Sequence, residues 1–105
     1  MRGGDMKLGI FINTDKHLAD VIGITKAAVS KGHEVVIFNM DDGAKLLGDP
    51  AFKELCKTKG VSMSFCDHAA THLGVSKEGI PEEIVCGSQY NNAIMVNSAD
   101  GVIVL

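Results

Sequence analysis

The chain has 105 residues, 46% of them apolar and 22% charged. These are values of an ordinary globular protein, and they exclude a disordered chain and favour one domain, 1–105, with a modest core. Ten basic residues are scattered among thirteen acidic ones for a formal net charge of -3, so no basic stripe is present to displace counterions from a phosphate backbone, and nucleic acid is not expected as the main partner.

Residues 1–5 are polar and read as a disordered extension ahead of Met6. The apolar stretch after them, Leu8 to Ile12, is too short for a signal peptide or a membrane span. Lys7 to Asn13 is a near-continuous apolar run, as expected of a parallel strand covered on both faces. Thr14 or Asp15 is expected to cap a helix carrying Leu18, Val21, Ile22, Thr25, Ala28 and Val29 on one face, with Lys31 and Gly32 ending it. His33 to Met40 reads as a second buried strand, and Asp41-Asp42-Gly43 as a turn. Asp49 and Pro50 are placed to cap and start a helix whose inner face holds Phe52, Leu55 and Cys56, and Gly60 stops it.

Val61 to Cys66 alternates as a third strand, with Val61, Met63 and Phe65 on one face and Ser62, Ser64 and Cys66 on the other. A short helix from Asp67 to Leu73 follows, then a loop from Gly74 to Pro81. Pro81-Glu82-Glu83 reads as a helix start, residues 89–97 as a helix carrying Ala93, Ile94 and Val96, and Gly101 to Leu105 as the last strand. Four strands joined by helical crossovers predict an α/β, flavodoxin-like three-layer α/β/α sandwich, its sheet mainly parallel in the order 2-1-3-4.

Ligands of open parallel sheets bind beyond the carboxyl ends of the strands. Three segments fall there: Asn13 to His17, with Lys16; Met40 to Gly43, with Asp42; and Cys66-Asp67-His68. Cys66 stands out because it ends a strand and precedes a helix whose first amides lack internal partners, an environment that favours a thiolate. Lys16, His17 and His68 would add positive charge, and Asp67 opposes it. The plainer reading is a small buried apolar residue, the usual state of a free cysteine.

Cys56 reads as core. Cys86 is a weak candidate for a resolving thiol. His68 and His72 are four residues apart, on one helix face, and with Cys66 they offer a soft metal set that ranks below a polar helix face. Asp41 and Asp42 could hold magnesium, although a turn explains them as well. No metal site is therefore assigned. The three cysteines include no C-x-x-C and, without an export signal, read as reduced thiols of a cytoplasmic protein. A phosphatase loop of the C-x5-R type is excluded because His72 stands where arginine would clamp phosphate. No glycine-rich phosphate fingerprint follows the first strand.

Taken together, Lys7 to Asn13, Lys31-Gly32-His33-Glu34-Val35, Asp42-Gly43, Gly60 to Cys66, Leu73-Gly74-Val75 and Ser98 to Val104 resemble the DsrE/DsrF-like family, which includes the TusD-type sulfur-transfer subunits. The resemblance covers Met6 to Leu105. It implies that Cys66 holds the place of the acceptor cysteine, taking sulfane sulfur as a persulfide and passing it on, as a sulfur carrier or sulfurtransferase. It implies no cofactor, sulfur donor and acceptor proteins as partners, and a homo-trimer or homo-hexamer with the cysteine near a subunit boundary. Ala93 to Val96 is the apolar stretch available for such a contact. The chain departs from the sulfur-relay pattern at Asp67 and His68, where those subunits are apolar. A binding subunit with no chemistry of its own, holding a small molecule or a partner loop at the same edge, is the competing expectation.

Overall fold

The structure, a computed structural model, describes residues 6–87, 93 and 97–105. Lys7–Ile12 forms β1 and Leu18–Ser30 forms α1. Glu34–Asn39 forms β2, followed by a 3₁₀ segment Asp41–Gly48, the short helix α2 at Pro50–Glu54 and a 3₁₀ turn Leu55–Lys57. Val61–Cys66 is β3, Asp67–His72 is α3, Ile84–Gly87 is β4 and Gly101–Val104 is β5. Ala93, Asn97 and Ser98, on the way to β5, are helical. Ile94, Met95 and Val96 of the expected contact stretch, and the extension 1–5, lie outside the described residues.

All strand pairs are parallel, and the sheet order is β4-β3-β2-β1-β5. The flavodoxin-like α/β class is therefore as expected, but the strand order 2-1-3-4 is not. β2 lies between β1 and β3, because three crossovers in succession step in the same direction and only the last connection returns to the far side of β1. By the right-handedness of such crossovers, α1, α2 and α3 share one face of the sheet. A fifth strand was also missed. Pro81-Glu82-Glu83 does not start a helix. The Pro81 carbonyl accepts from the Ile84 amide at 3.0 Å, closing a turn, and the β-branched Ile84-Val85 pair enters the sheet beside Met63 and Ser64.

Ile10, Ile37, Met63 and Ile84 form one row across four strands. All are buried, with Val21 of α1, Phe52 of α2 and Ala70 of α3 in the same apolar cluster. On the opposite face Phe11 stacks on Phe38 with ring centroids 6.1 Å apart, while Val85, Val102 and Val104 at the two sheet edges stay exposed. Asp100 fastens β5 to β1: its carboxylate accepts from the Lys7 amide at 2.7 Å, and its own amide donates to the Lys7 carbonyl.

The local signals mostly hold. Asp49 accepts from the amides of Ala51 and Phe52 and caps α2, with Pro50 in the first turn. Gly32 ends α1 with a positive φ. The start of α1 differs from expectation. Neither Thr14 nor Asp15 caps it; His17 takes the N-cap with no side-chain bond, and the Thr14 hydroxyl instead donates to the Leu105 carbonyl at 3.1 Å.

The departure from β2 is the tightest feature of the fold. The Met40 amide donates to the Ile12 carbonyl at 2.9 Å, Asp41 takes a positive φ of 49°, and the Gly43 amide closes back on the Met40 carbonyl. The buried Asn39 side chain donates to the Gly43 carbonyl at 2.9 Å. A Cβ on Gly43 would lie 2.2 Å from the Ile12 carbonyl oxygen, inside any permissible contact. Gly43→Ala is therefore expected to force the turn off the sheet and to cost about 1–3 kcal/mol, read as a lower urea midpoint. An unchanged midpoint would contradict this close approach.

Candidate functional site

Met40, Cys66 and Gly87 occupy equivalent places at the carboxyl ends of β2, β3 and β4, since Asn39 is in register with Phe65 and Cys66 with Gly87. Above them opens a cleft of about 900 Å³. The 3₁₀ segment contributes Asp41 and Asp42 to its lining, and α3 contributes Asp67, His68, Ala69 and His72, with Leu73 just beyond its end. The Gly43 turn thus fixes one wall and the β3–α3 junction the other.

Cys66 is both the last residue of β3 and the N-cap of α3. It is a free cysteine, 7% exposed, with what exposure it has at the cleft. Ser62 and Ser64 precede it on its face with falling exposure, so the alternation expected of this strand holds to its end. α3 stops at Gly74, where a positive φ lets the amides of Gly74 and Val75 return to the carbonyls of Thr71 and Ala70. That turn sends the chain back alongside α3.

The returning chain brings Lys77 onto Asp67. The Lys77 ammonium bonds the Asp67 carboxylate and donates to the Thr71 hydroxyl at 2.9 Å. Cys86, on β4, lies near enough to the same carboxylate to interact with it. The Lys77 bond first, then Cys86, hold Asp67 below the usual carboxyl value, and Asp67 in turn raises Lys77. Desolvation and then the Asp67 carboxylate push the Cys86 thiol up, although the residue as a whole is exposed. Burial, then Glu83, raises the half-buried Cys56, in keeping with a packing role.

Of the residues singled out in the sequence, Cys66, Asp42, Asp67 and His68 come together in the cleft, joined by Asp41 and His72. Asn13, Lys16 and His17 are not among the lining residues. They leave β1 on the other side of the Gly43 turn, where His17 faces Asp20 at 3.6 Å and the Lys16 amide reaches Thr14. Lys77, which sequence reasoning left in an undiagnostic loop, is the cation beside this cysteine's neighbour. Its loop has no periodicity, and only the Gly74 turn, visible as Leu73-Gly74-Val75, hints that the chain doubles back.

His68 and His72 do share a helix face, with ring centroids 6.3 Å apart and planes 13° from parallel. Among the described residues, however, no three His, Cys, Asp or Glu side chains are grouped to hold a metal ion, so neither Cys66, His68 and His72 nor the Asp41–Asp42 pair forms such a centre. Cys86 is in register with Phe65 and Cys66 with Gly87, so the two cysteines leave the sheet on opposite faces, and the register does not set Cys86 as a resolving partner. Among the described residues no helix is long and apolar enough to cross a membrane.

No protein-family model matches the sequence, and comparison with curated proteins found no match. Solved structures do match. MTH1491 from Methanobacterium thermoautotrophicum, a protein of unknown function, superposes with a TM-score of 0.75 at 14% identity, over 96% of this chain and 100% of that one. The ychN protein from E. coli gives 0.63 at 12% identity, over 96% and 99%. At such identities the likeness shows the fold alone. It supports the DsrE/DsrF-like fold.

The Asp67 pair also sets an acid dependence. Its folded pKa lies below the ordinary value of about 3.9, so its contribution is present above that value and is lost as pH falls through the lowered one. Asp67→Asn is expected to lower the melting temperature at neutral pH and to leave it nearly unchanged in strong acid. An equal loss at both extremes in thermal melts would contradict the pairing.

Proposed function

We propose that this chain carries sulfane sulfur on Cys66. The observation behind the reading is the position of that sulfur: a free thiol at the β3–α3 seam, lining a cleft of about 900 Å³ at the carboxyl edge of the sheet. The fold is of the DsrE/DsrF type, and the sequence resemblance puts the acceptor cysteine at this position. In the transfer step the Cys66 thiol gives up its proton to solvent. Its sulfur then attacks the outer sulfur of a donor persulfide, a new S–S bond forms, the donor S–S bond breaks, and the donor leaves as a thiolate with the electron pair. Donation to an acceptor thiolate is the reverse step, with Cys66 as the leaving group. No cofactor takes part. On this reading donor and acceptor are partner proteins, and the chain works as a homo-trimer or homo-hexamer in the cytoplasm.

One observation favours a second reading. The cleft has the volume of a small-molecule site and only a small part of Cys66 reaches it. A binding subunit would use the cleft without bond formation at sulfur.

Mass spectrometry after incubation with a small-molecule persulfide separates the two. Sulfur transfer predicts a mass gain of a single sulfur atom on the Cys66 peptide, absent in Cys66→Ser and removed by cyanide. No gain at Cys66, under conditions that load an authentic persulfide carrier, would overturn the proposal in favour of simple binding.

A further inference from the structure

We propose that Lys77 is a positioning residue for Cys66, holding and neutralising the Asp67 carboxylate so that the neighbouring thiol can ionise in a cleft that Asp41 and Asp42 also line. The inference rests on the reading of Cys66 as the reacting group. It starts from an electrostatic difficulty in the site: Asp67 follows Cys66 directly, and Asp41 and Asp42 line the same cleft. A thiolate formed there faces three carboxylates, and like charges disfavour one another.

The charged and titratable groups around the cleft come from three elements. The 3₁₀ segment brings Asp41 and Asp42, α3 brings Asp67, His68 and His72, and β4 brings Cys86. Asp42 faces Lys45 at 3.6 Å, with both side chains about half exposed. Asp67, the carboxylate nearest Cys66 in the chain, is matched more closely. Lys77 binds it, and the Thr71 hydroxyl fixes the same ammonium from the next turn of α3. Lys77 and Cys86 both line a second, shallower hollow of about 370 Å³ beside Phe65. The neutralising charge is therefore delivered from outside the cleft, which leaves the space in front of Cys66 unobstructed. Lys77 touches no reacting atom and acts only through Asp67.

The test follows alkylation of Cys66 by iodoacetamide against pH, using peptide mass spectrometry on the full chain so that Cys56 and Cys86 are scored separately. Lys77→Met is expected to move the midpoint of the Cys66 profile upward by about half a unit to one unit, because the Asp67 charge is then left unbalanced beside the thiol. High salt should shrink that shift. Lys77→Arg, which keeps the charge, should hold the profile of the parent. Asp67→Asn alone should move the profile downward, because Lys77 is then unbalanced, and the double variant Lys77→Met/Asp67→Asn should return close to the parent. A purely structural role in tethering the loop predicts that the double variant keeps the Lys77→Met behaviour, and that result would overturn the inference. So would identical profiles in every variant with Cys66 still reactive, an outcome that leaves the persulfide reading standing. A Cys66 that stays unlabelled in the parent at every pH would overturn both.

Discussion

The cleft exists because the chain leaves β2 by folding tightly over the end of β1. Gly43 has no side chain to keep it off the Ile12 carbonyl, Met40 donates to that same oxygen, and Asn39 reaches from inside the sheet to the Gly43 carbonyl. These contacts fix where the 3₁₀ segment begins, and so where Asp41 and Asp42 stand relative to the ends of β3 and β4. Among the described residues the buried Asn39 oxygen has no hydrogen-bond partner.

The opposite wall depends on a change of backbone state at a single residue. β3 pairs with β2 as far as Phe65 and with β4 as far as Cys66, and the chain becomes helical at the next position. α3 is short, and its end at Gly74 turns the chain back so that Lys77 comes to rest on Asp67. The acidic residue that looked hostile to a thiolate in the sequence is thus one partner of an ion pair with Lys77. Resemblance and geometry bear on different parts of this picture. Likeness to MTH1491 and to ychN supports the fold over nearly the whole chain, whereas the cleft chemistry rests on the residues of this chain.

Much of the fold was legible because its signals are local. Apolar runs marked β1, β2 and β3, Asp49 and Pro50 marked a helix start that forms as read, and Gly32 and Gly60 marked two stops, both with positive φ. β4 was not legible. Four residues are too few to show alternation, and the proline and two glutamates before it carry the composition of a helix start although they form a turn. Strand order could not follow from local signals either, since it depends on which way each crossover steps. In the site, Cys66 was found by its place at a strand end, and His68, Asp67 and Asp42 by their closeness to strand ends. Asn13, Lys16 and His17 met the same criterion but are not among the residues that line the cleft. Lys77 lies ten residues from its partner in an aperiodic loop, and no pattern in the sequence links the two.

The seam at Cys66 has a mechanical consequence. Its backbone is clamped by the sheet on one side and by a helix on the other, so the sulfur hangs from fixed atoms by one rotatable bond with a few staggered settings. An extra sulfur bonded to it would extend that reach by only about 2 Å. On the proposed reading such a short tether leaves no room for a swinging arm. A donor or acceptor would then have to present its own group on a projection narrow enough to enter between the Gly43 turn and α3, and the depth of that slot, more than the chemistry of the thiol, would select which molecules exchange with it.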